Sequence, residues 1–142
     1  MVRIQEILCG RNLFSVRYNQ SVADVARRMA ELRVGAILVL EDNQLRGLFS
    51  ERDLMMRVVV EGRNPELTPV SEVMTTNLAT IQESATLDEA LECMNQHSCR
   101  HLPVMCGRQV VGFVSMRDLM NFELDRKTEE LNHLHNYVHG ST

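Results

Sequence analysis

The feature that most constrains this chain is a repeat: the stretch GLFSERDLMMR, residues 47–57, returns as GFVSMRDLMNF, residues 112–122. A shift of 65 residues aligns residues 12–55 with residues 77–120 without a gap, and 11 of the 44 pairs are identical. Unrelated stretches of average composition would share about two or three. The identical residues, named in the first copy, are Asn12, Leu13, Met29, Val39, Gln44, Gly47, Ser50, Arg52, Asp53, Leu54 and Met55. The chain is therefore expected to contain an internal duplication.

The same order of secondary-structure elements is predicted in each copy. A short strand at residues 13–17, or 78–82 in the second copy, leads to a helix that begins near a capping hydroxyl, Ser21 or Thr86. Apolar residues with helical spacing follow each cap, and two apolar runs around a polar turn then predict a β-hairpin. A second helix begins at the serine of the repeated motif. This order predicts an α+β fold with a small sheet and two helices in each unit.

The two units are expected to share one structure. A unit of about 60 residues is marginal alone and leaves apolar surface uncovered, so we expect the two copies to pack together about a pseudo-twofold axis. The stretch GRNPELTPVS, with two prolines, is predicted to connect them. The predicted segments are residues 1–61 for the first unit, 62–71 for the connection, 72–122 for the second unit and 123–142 for a C-terminal extension.

The residues after the second motif predict an amphipathic helical extension. Leu124, Leu131, Leu134 and Val138 lie 7, 3 and 4 residues apart, which is close to a heptad spacing. Gly140 is the expected end of the helix. We expect this apolar stripe to pack either on the body of the chain or on a second subunit.

Composition and charge argue against several classes of partner. The net charge of −4 and the scattered basic residues do not favour binding to nucleic acid. No apolar run approaches the roughly 20 residues that a membrane-spanning helix needs, and no signal-peptide pattern is visible. We therefore expect a cytoplasmic protein without a nucleic-acid or membrane partner, in which the four isolated cysteines are reduced thiols.

The sequence contains no arrangement that predicts catalysis or a resident metal. No Ser/His/Asp or Cys/His spacing points to an activated nucleophile, so the protein is not expected to be an enzyme and no catalytic residue is predicted. Cysteines and histidines crowd one region, at Cys93, His97, Cys99, His101 and Cys106. Their spacing matches no common zinc motif, so neither a metal site nor a required cofactor is predicted.

The repeated motif, placed after a predicted hairpin in two tandem units, resembles the cystathionine β-synthase-type (CBS) domain family. The stretch CRHLPVMCGRQVVGFVSMRDLM, residues 99–120, resembles the second unit of bacterial stand-alone CBS pairs, and SEVMT, residues 71–75, is similar to the segment that usually precedes it. The resemblance covers roughly residues 3–122. It implies a tandem pair of CBS units with an adenosine nucleotide as regulatory ligand.

The Ser-x-x-Asp core of the motif supports two roles that do not exclude each other. A serine at a helix start with an acidic residue three positions later is close to a capping box, which satisfies unpaired backbone N–H groups. A helix N-terminus also attracts anions. The resemblance implies that Asp53 and Asp118 accept hydrogen bonds from ribose hydroxyls and that Ser50 and Ser115 hold ribose or phosphate. It places adenine between apolar strand residues.

The resemblance further implies that each cleft is shared between the two repeats. One cleft is expected to combine Ser50, Arg52 and Asp53 with Leu78, Ala79, Thr80, Cys99, Arg100 and His101. The other is expected to combine Ser115, Arg117 and Asp118 with Leu13, Phe14, Ser15, Val34, Gly35 and Ala36. Arg100 and His101 match phosphate-contacting positions of the family, and the shift pairs them with Gly35 and Ala36. The sequence therefore predicts that the Asp53 cleft favours the phosphorylated ligand.

These observations together predict a regulatory module. It is expected to bind AMP, ADP, ATP or a related adenosyl ligand and to signal to a separate, unidentified regulated protein through a change of shape or association. A homodimer is expected, because CBS pairs commonly pair helix to helix about a twofold axis. The alternative is a structural protein–protein interaction module whose clefts stay empty.

Overall fold

Both repeats fold in the same order of elements, as the computed structural model of the chain shows. The structure describes residues 1–140, and it describes the side chains of residues 1–136. The first half contains α1 (Ile4–Leu8), β1 (Ser15–Arg17), α2 (Val22–Leu32), β2 (Ala36–Glu41), β3 (Gln44–Ser50) and α3 (Glu51–Asp53), which continues into a π-helical turn (Leu54–Val59). A short 3-10 helix (Val70–Glu72) follows. The second half contains β4 (Ile81–Gln82), α4 (Leu87–Gln96), β5 (His101–Cys106), β6 (Gln109–Ser115) and α5 (Met116–Gly140).

Each repeat builds its own three-stranded sheet, in the order β1-β2-β3 or β4-β5-β6. The first strand pairs in parallel with the second, and the second and third form the predicted antiparallel hairpin. The predicted α+β class is therefore confirmed. The first strands are shorter than predicted, because only residues 15–17 and 81–82 pair with the neighbouring strand. Leu13 and Phe14 precede the paired residues.

The two predicted helix caps are present. The Ser21 hydroxyl accepts a hydrogen bond from the Asp24 backbone N–H at 3.1 Å, and α2 begins at the next residue. The Thr86 hydroxyl accepts one from the Glu89 N–H at 3.1 Å at the start of α4. Each cap satisfies a backbone donor that the helix itself leaves unpaired, which typically contributes ~1 kcal/mol. These local signals position each helix against its own sheet.

The hydrophobic cores exchange segments between the two halves of the chain. Val2, Ile4 and Ile7 lie in the core of the second repeat, although they stand at the start of the chain. Val70 and Val73 lie in the core of the first repeat. We call the residues just before Asn12 and just before Asn77 the leading segments of the two repeats. Each leading segment packs in the core of the other repeat, so the cores do not follow the order of the chain.

A third apolar cluster joins the repeats. It contains the buried residues Ala36, Leu38 and Leu48 of the first repeat together with Val110 of the second. Partly buried residues from both repeats, including Phe113, pack against it. The two units thus pack on each other through their sheets, as their uncovered apolar surface predicted.

The repeated glycine of the motif admits the exchanged segments. A Cβ at Gly47 would lie 2.5 Å from the Met74 sulfur and 2.9 Å from the Thr75 carbonyl oxygen. A Cβ at Gly112 would lie 2.5 Å from a Leu8 methyl carbon. Real Cβ atoms essentially never come so close, so each glycine allows the leading segment of the other half to lie directly on the third strand.

The C-terminal helix α5 extends over 25 residues. Leu124, Leu131 and Leu134 are 63%, 67% and 59% exposed, so this stripe does not pack on the body of its own chain. Val138, which was predicted to continue the stripe, lies outside the residues whose side chains are described, and residues 141–142 of the predicted extension lie outside the described chain. Within residues 1–140, no helix combines the length and the apolar character needed to cross a membrane.

Candidate functional site

A cavity of about 930 Å³ is lined by residues of both repeats. Its lining includes the second motif, at Ser115, Arg117 and Asp118, and the predicted facing residues Leu13, Phe14, Val34, Gly35 and Ala36. Ser15, which was predicted for the same cleft, is the first residue of β1 and does not belong to the lining. The volume is typical of sites for small organic ligands. We call this cavity the Asp118 cleft.

Asp118 caps α5 and still presents part of its carboxylate to the cleft. Its Oδ2 accepts a hydrogen bond from the Ser115 backbone N–H at 2.9 Å, and its own N–H donates to the Ser115 hydroxyl at 3.0 Å. The Arg11 guanidinium lies 3.2 Å from the same Oδ2. Among the described residues, Oδ1 has no hydrogen-bond or ion-pair partner, and the side chain is 32% exposed. This oxygen is available to a ligand hydroxyl.

The ring of His101 also lines the Asp118 cleft. It stacks on Phe113 with the ring centroids 5.4 Å apart and the planes 8° from parallel. Burial lowers the pKa of His101; the nearby Asp118 and Glu51 carboxylates oppose this effect, and Arg100 adds to it. The imidazole is therefore mainly neutral at neutral pH and forms, with Phe113, an aromatic wall. The prediction that His101 contacts phosphate in the Asp53 cleft differs from this position of the ring, which lines the Asp118 cleft.

Three charged residues of the cleft were missed by the sequence comparison, namely Arg11, Arg33 and Glu51. Arg33 ends α2 in the left-handed region at φ 56°. Under the 65-residue shift, Arg11, Arg33 and Glu51 stand opposite Thr76, Ser98 and Met116. All three are charged in only one copy of the repeat, a signal that they share with residues outside the cleft such as Arg28 and Arg46.

Glu51 reaches across from the first motif. Its backbone N–H donates to the Gly35 carbonyl at 2.9 Å, and a Cβ at Gly35 would lie 3.4 Å from the Glu51 carboxyl carbon. The free position of the first Ser-x-x-Asp motif thus contributes a carboxylate to the cleft of the second. Arg33 and Arg117 have no ion pair among the described residues and can meet an anionic group.

The first motif is arranged differently, because the Asp53 carboxylate is buried and hydrogen-bonded to other protein groups. Asp53 is 7% exposed, and its Oδ2 accepts hydrogen bonds from the Ser50 N–H at 3.1 Å and the Ser50 hydroxyl at 3.2 Å. The Thr75 hydroxyl lies 3.1 Å from Oδ1 and 3.2 Å from Oδ2, and the Arg57 Nε is 3.7 Å from Oδ1. The capping role is realised here, and protein groups surround the carboxylate.

The other residues predicted for the Asp53 cleft lie in different surroundings. Leu78 packs against the cluster between the sheets, and Ala79 and Cys99 pack against the core of the second repeat. Burial raises the pKa of the Cys99 thiol, in keeping with a packing role. The exposed residues of the predicted set are Arg52, Thr80 and Arg100. Of this set, only His101 lines the Asp118 cleft.

The described side chains offer no metal centre. Within them, no group of three or more His, Cys, Asp and Glu residues could hold a metal ion. Cys93 and His97 approach each other at 3.7 Å between Sγ and Nδ1 but form only a pair. The lining of the Asp118 cleft presents hydrogen-bonding groups, arginine charge and apolar surface.

Comparison with known proteins shows one consistent likeness. The CBS domain family model matches residues 4–60 and 70–125. The CBS domain-containing protein YhcV of Bacillus subtilis (strain 168) is 38% identical over 105 residues, 74% of this chain and 74% of that protein. The mitochondrial CBS domain-containing protein CBSX3 of Arabidopsis thaliana is 30% identical over 127 residues, 86% of this chain but only 62% of that protein. A solved protein with CBS domains from Burkholderia ambifaria MC40-6 superposes with a TM-score of 0.82 and 32% identity, covering 87% of this chain and 95% of that one.

Proposed function

The chain belongs to the CBS domain family, and from that premise we propose that it is a regulatory module that binds an adenosine nucleotide in the Asp118 cleft. Tandem CBS domains are generally regulatory modules that often bind adenosine ligands. The observation that carries the proposal is the Asp118 carboxylate, which keeps Oδ1 unpaired among the described residues inside a cavity of about 930 Å³.

The proposed pose follows from the chemistry of the lining. The ribose hydroxyls donate to Asp118, since a carboxylate can accept from two neighbouring hydroxyls in charge-assisted hydrogen bonds. Adenine packs on apolar residues of the first repeat, with Leu13, Phe14 and Val34 as the available surfaces. The phosphate meets Arg33 and Arg117, because guanidinium groups can replace the hydrogen bonds that the phosphate loses with water.

The regulatory output is proposed to pass to a separate protein. A ligand that contacts both repeats can bind one relative arrangement of the repeats, or one state of association, more tightly than another. Its binding then shifts the population toward that state. The rival function is a structural interaction module with empty clefts. Exposed apolar residues after the first motif, Met55, Val59 and Val60, favour it, since they are 53%, 66% and 68% exposed.

A thermal-shift panel with adenosine, AMP, ADP and ATP separates the two functions. A ligand at 100 times its dissociation constant should stabilise the folded protein by ~2.7 kcal/mol. Asp118→Asn should reduce the shift markedly, because the amide keeps only one acceptor oxygen and loses the charge that strengthens hydrogen bonds from the ribose hydroxyls. Asp125→Asn, an equal charge change at an exposed position of the same helix, is the control. If no nucleotide raises Tm in the wild type, the interaction module is the better account.

A further inference from the structure

The two motif aspartates are in opposite states although their sequences repeat. Asp53 has a side chain 10% exposed and is surrounded by Ser50, Thr75 and Arg57, whereas the side chain of Asp118 is 32% exposed. The difference originates in the exchanged leading segments. Thr75 belongs to the segment that reaches the first motif, and the 65-residue shift sets Gly10 in its place at the second.

Thr75 is held in position by the backbone. Its N–H donates to the Leu48 carbonyl at 2.8 Å, and the Leu48 N–H donates back to the Thr75 carbonyl at 2.9 Å. Because this backbone pairing fixes the position of Thr75, its short side chain holds the hydroxyl beside both oxygens of Asp53. Gly10 offers no such group: it has φ +79°, and a Cβ there would meet nothing within 4 Å.

Side-chain size also differs between equivalent positions of the two repeats. Several positions that line the Asp118 cleft carry small residues, and their counterparts in the other repeat are larger: Ala26 pairs with Leu91, Ala30 with Asn95, Gly35 with Arg100 and Ala36 with His101. Leu91 packs against the core of the second repeat, and His101 extends into the Asp118 cleft. Other lining positions differ in the opposite direction, since Phe14 is larger than Ala79 and Arg33 is larger than Ser98.

We infer that each chain has a single nucleotide site, because Thr75 supplies to Asp53 the hydroxyl hydrogen bond that a ribose supplies to Asp118. The inference rests on the proposed function and limits it: Asp53 supports the structure, and only the second motif responds to ligand. Both motifs thus keep the capping box at the start of a helix, and only the aspartate of the second motif also binds the nucleotide. In the occupied chain, the ligand bridges the two repeats at one side only.

Calorimetric titration with AMP tests this inference, with Asp53→Asn and Asp118→Asn as a matched pair. We expect one AMP per wild-type chain, an affinity lowered at least about tenfold by Asp118→Asn, and an unchanged affinity in Asp53→Asn. Two AMP molecules per chain would overturn the single site and leave the proposed function standing. Binding that survives Asp118→Asn but not a folded Asp53→Asn would overturn it too, and no binding at all would overturn both. If Asp53→Asn does not fold, the wild-type stoichiometry and Asp118→Asn decide.

Thermal unfolding without ligand tests the role of Thr75 separately. Thr75→Val keeps the side-chain shape and removes the hydroxyl, so the buried Asp53 carboxylate loses a donor and Tm should fall by about 4 °C. Thr75→Ser should restore it, and Thr76→Val, at the exposed neighbouring position, is the control. A Tm of Thr75→Val equal to that of the wild type would show that the hydroxyl does not hold Asp53, and would overturn the inference.

Discussion

At the scale of single residues, the cleft combines charges that come from both motifs. Arg11 already pairs with Asp118, which leaves Arg33 and Arg117 as cations and Glu51 as an unpaired anion among the described residues that line the cavity. His101 contributes an aromatic surface rather than charge, because its burial lowers its pKa. The cleft is therefore only weakly positive, which favours a ligand with few phosphates.

Glu51→Gln should raise the affinity for ATP more than the affinity for adenosine. The Glu51 carboxylate repels a phosphate chain in the same cleft, and an exposed charge of this kind contributes ~1 kcal/mol, or about fivefold in affinity. Titration of both ligands against the wild type and the variant measures the ratio. Glu92→Gln removes an exposed charge outside the cavity and is the control. Equal changes for adenosine and ATP would contradict the assignment.

The buried imidazole also predicts a pH dependence of stability. Because burial lowers the pKa of folded His101 from its ordinary value of 6.5, the unfolded chain binds more protons between these two values. The contribution is therefore present above pH 6.5 and is lost as the pH falls through the folded pKa. The Asp118 and Glu51 carboxylates partly offset this loss by favouring the charged ring, whereas Arg100 increases it.

His101→Gln should make the free energy of unfolding less sensitive to pH between 7.5 and 5.5. Urea unfolding at several pH values measures the difference, and His97→Gln, at an exposed position, controls for the loss of an imidazole. If the two variants and the wild type lose stability equally on acidification, then His101 is not the responsible group.

At the scale of elements, the third strand of each sheet depends on a glycine against the exchanged segment. The two glycines differ in what surrounds them. A Cβ at Gly112 would meet only the side chain of Leu8, whereas a Cβ at Gly47 would meet the Met74 side chain and also the Thr75 carbonyl oxygen, at 2.9 Å. A leucine side chain can change rotamer, but a backbone carbonyl that is part of a strand bridge cannot move without breaking hydrogen bonds.

Gly47→Ala should therefore destabilise the protein more than Gly112→Ala. Crowding a packed site typically costs about 1–3 kcal/mol, and we expect Gly47→Ala near the upper end and Gly112→Ala near the lower end. Urea unfolding of the two variants gives the comparison directly, and each variant is the control for the other. A larger loss in Gly112→Ala would mean that the contact with Leu8 is the stricter of the two.

At the scale of the whole molecule, an exposed apolar surface repeats with the duplication. Met55 and Met120 are equivalent under the shift, as are Val59 and Leu124, and they are 53%, 59%, 66% and 63% exposed. The same kind of surface on the helix after each motif suits a twofold interface, since such an interface uses one patch twice. We therefore expect a homodimer of about twice 16.2 kDa, near 32 kDa.

Met120→Glu should shift the dimer toward the monomer, because a charge buried in an apolar interface loses its hydration without a partner. Light scattering across the micromolar range measures the mass. Leu67→Glu is the control, since Leu67 is 79% exposed in the connection and outside this surface. A wild type that is monomeric across this range would remove the prediction.

Local sequence patterns were enough to predict the duplication, the order of elements, the caps at Ser21 and Thr86 and the motif that places the chain in its family. These features depend on residues close together in the chain: apolar periodicity selects helix or strand, and a hydroxyl three positions before a backbone N–H caps a helix. The 65-residue shift even marked the two repeats as unequal.

The different surroundings of Asp53 and Asp118 depend instead on long-range packing. Thr75 reaches Asp53 across 22 positions, and Arg11 reaches Asp118 from the opposite end of the chain. The exchange of leading segments creates both contacts, and no local pattern contains it. The same holds for His101, whose ring stacks on Phe113 and lines the Asp118 cleft, although the family resemblance implied a place in the Asp53 cleft. The two repeats have the same backbone arrangement but different neighbouring residues. The direction of each side chain and its long-range contacts therefore cannot be predicted from the repeat alone.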